Sequence, residues 1–275
     1  MAHTALKGTR LWFDRGAPGG PPVLLVMGLG LRGTAWRRQV EGLGEACDLT
    51  WYDHRGVGRS DPLTGPVSMK SLASDALSLM GAIGWQDAHV IGVSMGGMVA
   101  QEIALAAPER VRSLALLATH GGGARSVLPP TGGIGLFLKT RRGPPADRAR
   151  ALLALLFDDA WLAGTDVRSV LAELDRDVYD PRSPESTIYA QLAAIAAHHA
   201  LPRLRRLRGV PTLVIRPGRD RLVSPEGSDR LAGAIPGARL LSFPESGHAV
   251  NVQCADRVNA ALLAHIDEAE RARAG

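Results

Sequence analysis

Residues 88–98 read Ala88-His89-Val90-Ile91-Gly92-Val93-Ser94-Met95-Gly96-Gly97-Met98, and the turn in the middle of this stretch organises the chain around it. An apolar run ends at Val93 and an apolar, helix-like stretch runs from Met98 to Leu105, so Gly92-Val93-Ser94-Met95-Gly96 is a G-x-S-x-G placed between a strand and a helix. Such a turn tolerates little side chain on its flanks, hence Gly92 and Gly96, with Gly97 behind them. The serine is pushed into strained backbone at a cost of about 1–3 kcal/mol. That strain presents its hydroxyl at a helix N-terminus, where oriented N–H groups favour developing negative charge. Ser94 is therefore a candidate nucleophile. A chance Gly/Ser turn has the same letters, so the surrounding sequence has to decide.

Outward from this turn, apolar runs alternate with amphipathic stretches, as in a mostly parallel sheet covered by helices. Before it come a strand near Leu11-Trp12-Phe13, a buried strand over Pro22–Met27 and another over Leu49–Asp53. Ser68 caps a helix reaching about Ile83, with Leu72, Ala76, Leu79 and Met80 on one face. After it, a helix to Ala107 is stopped by Pro108, and a strand covers Val111–Ala118. The alternation then breaks into a Gly/Pro-rich entry and a helical region ending near Arg208. It resumes with strands Pro211–Arg216 and Ala238–Phe243, a helix near Pro225–Ile235 and a final helix from about Ala255 to Ala272. The expected division is a sheet core made of residues 1–120 and 209–275, interrupted by a helical cap over 121–208.

A serine hydroxyl needs a base to take its proton and an acid to hold that base in one tautomer. Both are present, each in a loop after a late strand. Asp220 lies in Pro217-Gly218-Arg219-Asp220, and His248 ends Pro244-Glu245-Ser246-Gly247-His248. Strand ends of this kind converge on the ligand crevice of an open sheet. Taken singly, Asp220 reads better as a turn or helix-capping carboxylate, and His248 also reads as a surface-loop histidine; their order after Ser94 gives them weight. His89 and His265 fall within a strand and a helix, while His54 and His120 sit at strand ends in the wrong order. His198 and His199 form no metal set, since adjacent helical positions diverge. No metal and no organic cofactor is expected.

The residues Val23–Gly30, Asp53-His54-Arg55-Gly56-Val57-Gly58-Arg59-Ser60, Gly92–Gly97, Ala107-Pro108-Glu109-Arg110-Val111, Asp220 and Gly247-His248 together resemble the α/β-hydrolase fold superfamily. Within it the chain is similar to serine esterases, enol-lactonases and cofactor-free haloperoxidases. The resemblance implies an α/β fold with a helical cap and a Ser94–His248–Asp220 triad. It also implies an oxyanion hole from the backbone N–H groups of Leu29 and Met95, and a small ester or lactone as substrate. Met27-Gly28 stands where many relatives carry His-Gly, which weakens the case for C–C bond hydrolysis. A backbone donor does not depend on that side chain. Gly28, Phe137 and Trp161 are assigned to substrate binding. Leu152, Leu155, Leu156, Phe157, Tyr179, Tyr189 and Leu192 are further cap candidates, and an uncharged or apolar ester is the better fit.

A second function class competes. Gly28-Leu29-Gly30-Leu31-Arg32-Gly33 is a literal G-x-G-x-x-G after a strand, with Asp53 at the end of the next one. That is the fingerprint of a nicotinamide-dependent oxidoreductase. It leaves Ser94, Asp220 and His248 without work, and a strand precedes it, so the oxyanion loop is the preferred use of these glycines. A binding protein of the same fold with little turnover is the third alternative.

Composition bounds the rest. The chain has 275 residues, 45% apolar, enough for a large core. Its net charge is +5 and its pI about 9.7, but the arginines are scattered and no nucleic-acid motif accompanies them. No nucleic-acid or membrane partner is expected; a homo-oligomer stays open. No apolar run reaches membrane-spanning length, and Met1–Gly8 lacks a hydrophobic signal core, so the expected location is the cytoplasm. Cys47 and Cys254 are too few for a disulfide framework.

Overall fold

Six apolar runs of the sequence lie side by side and parallel, and two N-terminal strands extend them into one sheet. The computed structural model describes residues 2–6, 8–123, 130, 132–178 and 184–275. The strands are β1 (Ala2–Leu6), β2 (Thr9–Arg15), β3 (Pro22–Val26), β4 (Asp48–Tyr52), β5 (Ala88–Val93), β6 (Val111–Leu117), β7 (Thr212–Pro217) and β8 (Arg239–Phe243). Their order across the sheet is β1-β2-β4-β3-β5-β6-β7-β8. β2 runs antiparallel to both β1 and β4, and every later neighbour pair is parallel. The strand near Leu11 is β2; β1 carries no periodic signal and was not anticipated.

Helices α1 (Arg37–Leu43), α2 (Met69–Ala82) and α3 (Met95–Ala106) fall between the early strands. Between β6 and β7 come α4 (Gly133–Arg141), α5 (Pro145–Leu156), α6 (Asp159–Ala163), α7 (Val167–Val178) and α8 (Glu185–Ala197). The chain closes with α9 (Pro225–Ala234), α10 (Val250–Gln253) and α11 (Ala255–Ala274). Ser68 starts α2 as expected, in a reciprocal cap with Ser71.

Side chains alternate across each strand, so the sheet buries two separate apolar faces. Leu24, Val26, Val90, Leu114, Leu116 and Val214 pack against α2, α3 and α9. Val23, Leu25, Ile91, Val93, Leu117 and Ile215 pack against α1 and α11, chiefly through Leu43, Val258, Leu262 and Ile266. Being covered on both faces makes the central strands read as continuous apolar runs rather than alternating ones. A third, small cluster of Leu153, Phe157 and Val170 lies within the α4–α8 insertion. Among the described residues no helix is long and apolar enough to cross a membrane.

This topology decides where function can reside. Val26 of β3 is opposite Gly92 of β5, so the loops that follow these two strands emerge next to each other. Pro217 of β7 is opposite Phe243 of β8, which does the same for the loops carrying Asp220 and His248. All four loops open at the carboxyl edge of the parallel strands.

Candidate active site

The turn after β5 is as constrained as its glycines suggest. Ser94 has φ 55° and ψ −124°, and it caps the N-terminus of α3. A Cβ on Gly92 would overlap the Gly96 carbonyl, and one on Gly96 would overlap the carbonyls of Val26 and Met27. Four hydrogen bonds hold the strained residue. Its N–H donates to Leu117 O at 2.9 Å, and its carbonyl accepts from Gly97 N–H at 2.9 Å, from Met98 N–H at 3.4 Å and from Thr119 Oγ1 at 2.7 Å. The backbone is thus over-determined by β6 and α3, which is how a strained serine persists in a folded chain.

His248 stands over the carboxylate of Asp220, with Nδ1 2.7 Å from Oδ2. The other oxygen, Oδ1, accepts from the N–H groups of Leu222 and Val223 at 2.8 Å each. The Asp220 side chain is fully buried and that of His248 nearly so. Gly218 N–H to Phe243 O and Arg219 N–H to Ser246 O, both 2.8 Å, stitch the two loops together. Ser94 and His248 line one cavity of about 520 Å³. Among the described residues Ser94 Oγ makes no hydrogen bond, an open arrangement common before substrate binds.

The loop after β3 borders the serine. A Cβ on Gly28 would lie 3.3 Å from Ser94 Cβ, so this position needs to be small for anything to reach the hydroxyl. The N–H groups of Leu29 and Met95 make no hydrogen bond among the described residues. Leu29 lines the cavity together with Ser94, and Met95 follows Ser94 in the chain. Gly30 (φ 67°) donates its N–H to Oε1 of Gln191 in α8 at 2.8 Å, and a Cβ there would collide with Ile188 of the same helix. The glycines are therefore spent on close approach to Ser94 and to the insertion. Asp53, the acid of the dinucleotide fingerprint, is fully buried, and its oxygens accept from Gly33 N–H (2.8 Å) and Arg59 N–H (2.9 Å). Burial raises its pKa above the ordinary carboxylate value despite those bonds. It joins two loops and does not line the cavity of Ser94 and His248.

The insertion forms the other wall. Phe137, Leu152, Leu155, Leu156 and Phe157 line the cavity, as expected. Trp161 does not. It stacks on Phe157 with ring centroids 4.7 Å apart, on the side of the small insertion cluster, because an amphipathic helix must bury part of its apolar stripe against its own neighbours. Tyr189 is exposed and Leu192 also lies off the cavity; Tyr179 is outside the described residues. Residues not anticipated from the sequence also line it, among them Ile188, Leu174, Arg37 and Asn251. Nothing in a single sequence marks these, since their lining role arises only when helices meet. Gln191, in contrast, had a signal: it is the polar residue inside the apolar run Ala190–Ala197 of α8.

Ion pairs hold the insertion to the acid's loop. Arg219 pairs with Asp158 at 2.9 Å and Arg221 with Asp159 at 2.6 Å, and Ala249 N–H, next to His248, donates to Leu156 O at 2.8 Å. Behind α3, Arg203 pairs with the buried Glu102, and His198 approaches both Gln101 and Glu102. His120 and His54 are buried and line no part of the cavity. Burial, reinforced by the nearby charges of His198, Arg230 and His248, pushes the His120 pKa down to about 4. Burial lowers the His54 pKa, and its Nε2 is 3.0 Å from Met27 O.

A family model described as the alpha/beta hydrolase fold matches residues 21–253. A protein of Azorhizobium caulinodans named "Putative carbamate hydrolase RutD" is 33% identical over 258 residues, covering 92% of this chain and 93% of the relative. The crystal structure of the enol-lactonase from Burkholderia xenovorans superposes with a TM-score of 0.83 at 26% identity, covering 97% of this chain and all of the other. A thermophilic esterase from Thermogutta terrifontis superposes with a TM-score of 0.79 at 25% identity, covering 97% of each chain. With its sheet order, helical layers and match over most of its length, the chain belongs to the alpha/beta hydrolase family.

Proposed function

We propose that the protein hydrolyses a carboxylic ester or lactone of a small molecule through an acyl-enzyme on Ser94. The observation that carries this reading is the strained Ser94 sharing a cavity with His248, whose far nitrogen is bound to the buried Asp220. In that arrangement His248 Nε2 takes the Ser94 proton as Oγ attacks the carbonyl carbon. The carbonyl π electrons move onto oxygen, where the N–H groups of Leu29 and Met95 face the developing charge. Collapse expels the alkoxide, which receives the proton from His248. Water then gives its proton to the same nitrogen as its oxygen attacks the acyl carbon, and collapse breaks the bond to Ser94 Oγ, which takes that proton from His248 as the acid leaves. Asp220 keeps the imidazole in the tautomer with Nδ1–H and stabilises its charged form.

The apolar walls suit a substrate that is largely hydrocarbon. A carbamate is a second reading, favoured by the name of the relative from Azorhizobium caulinodans, and its carbonyl would meet the same groups. The test is a fluorophosphonate probe followed by mass spectrometry, with a panel of p-nitrophenyl esters, lactones and carbamates. Labelling on Ser94 and loss of all turnover in Ser94→Ala are expected. An unlabelled protein that binds panel members without turnover would favour the binding-protein alternative and overturn the proposal.

A further inference from the structure

The cavity walls are mostly apolar, yet one arginine in them is unpaired. A guanidinium stays charged at every physiological pH, and taking it partly out of water without a partner is unfavourable. The other half-buried arginines among the described residues obey that rule. The half-buried Arg55, Arg112, Arg203 and Arg221 pair with Asp75, with Asp87 and Glu270, with Glu102, and with Asp159. Arg38 and Arg148 also line the cavity and are engaged by other groups, Arg148 donating to Thr140 O at 3.1 Å. Among the described residues Arg37 alone of the arginines is half-buried with a side chain that makes no hydrogen bond, ion pair or ring contact. It lines the same cavity as Ser94 and His248. Glu185, the acidic side chain in that lining, is exposed and does not pair with it.

Arg37 begins α1, directly after the Gly33–Trp36 turn that leads on from the loop bearing Leu29. That turn is anchored by Gly33 N–H on the buried Asp53 carboxylate, so the start of α1 is fixed relative to the serine. We propose that Arg37 is an anion subsite and that the substrate is an ester or lactone carrying a carboxylate, which pairs with Arg37 while its reacting carbonyl faces Ser94. A carboxylate matches the planar guanidinium fork through two parallel N–H···O bonds, and the surrounding apolar walls strengthen the pair relative to water. The inference rests on the acyl-transfer reading for its second point of attachment and replaces the expectation of an uncharged substrate.

The test compares p-nitrophenyl hydrogen adipate with p-nitrophenyl hexanoate, which have equal chain length and differ by the terminal carboxylate. In the native enzyme the anionic ester is expected to be preferred in kcat/KM. In Arg37→Gln the ratio of the two kcat/KM values should fall by about 10- to 100-fold, the range for losing a hydrogen-bonded charge pair. Arg37→Lys, which keeps the charge and loses the fork, should fall between. In parallel, calorimetry of adipate with Ser94→Ala should show binding that disappears in the Ser94→Ala, Arg37→Gln double variant. An unchanged ratio, or adipate binding indifferent to Arg37, overturns the anion subsite. If neither ester turns over while adipate still binds through Arg37, the acyl-transfer reading falls and the subsite stands.

Discussion

Gly30 and Gln191 are 161 positions apart in the chain, and a 2.8 Å hydrogen bond from the Gly30 N–H to the Gln191 side chain joins them. The residue before Gly30 is Leu29, whose own N–H makes no hydrogen bond among the described residues. The insertion therefore touches the proposed oxyanion donor through one peptide unit. Gln191 is fully buried, so this contact is part of the packed interior rather than a surface tether.

Removing it should act on the reacting state more than on ground-state binding. Gln191→Leu is expected to lower kcat for a short p-nitrophenyl ester by about tenfold with a smaller effect on KM, less than the ~10²–10³ lost when an oxyanion donor itself is deleted. Steady-state kinetics decide this. A rise in KM at constant kcat would mean the helix serves binding only.

Asp220→Asn keeps the shape of the loop but reverses the hydrogen-bond polarity toward His248 Nδ1. Turnover should fall by about 10⁴, by analogy with the worked serine-protease triad. The two N–H donors of Leu222 and Val223 can still be accepted by the amide oxygen, so the protein should remain folded by circular dichroism. A loss of less than tenfold would point to another acid.

Gly96→Ala tests the fold rather than the chemistry. Its Cβ would meet the carbonyls of Val26 and Met27, backbone that cannot move without shifting β3. A destabilisation of about 2–4 kcal/mol is expected in urea unfolding, toward the upper end for overpacking a rigid site. A change below about 0.5 kcal/mol would show the turn to be plastic.

Acid should destabilise the protein through buried histidines outside the proposed triad. Burial pushes the pKa values of His89, His120, His198 and His265 down to about 4. Unfolded, each returns to about 6.5, so between those values the unfolded chain binds more protons than the folded one. Stability is then complete above pH 6.5 and declines as pH falls toward 4. His265, with Nε2 3.2 Å from Leu114 O, offers a clean variant. His265→Gln should flatten the slope of unfolding free energy against pH by up to about 1.4 kcal/mol per unit. An unchanged slope would show that His265 carries no part of it.

Trp161→Ala and Phe137→Ala should separate packing from substrate contact. Trp161 stacks on Phe157 off the cavity, so its loss should lower thermal stability while kcat/KM for a short ester stays within about threefold. Phe137 lines the cavity, and Phe137→Ala should shift the preference among acyl chain lengths. The reverse pattern would return Trp161 to the pocket.

The local constraints were legible from residues alone. Gly92, Ser94 and Gly96 specify a strained turn because side-chain sterics act over a few neighbouring atoms. The buried parallel strands announce themselves because a strand covered on both faces is apolar at every position. The order of Ser94, Asp220 and His248 along the chain placed each after its own strand. What no linear reading could supply is which distant surfaces meet. That the Arg37 side chain has no partner among the described residues, that Trp161 turns toward its own cluster, and that Gln191 reaches Gly30 depend on how the α4–α8 insertion lies over the sheet. An apolar stripe at helical spacing states that a face is buried and is silent on what buries it, so those contacts were decided by tertiary packing.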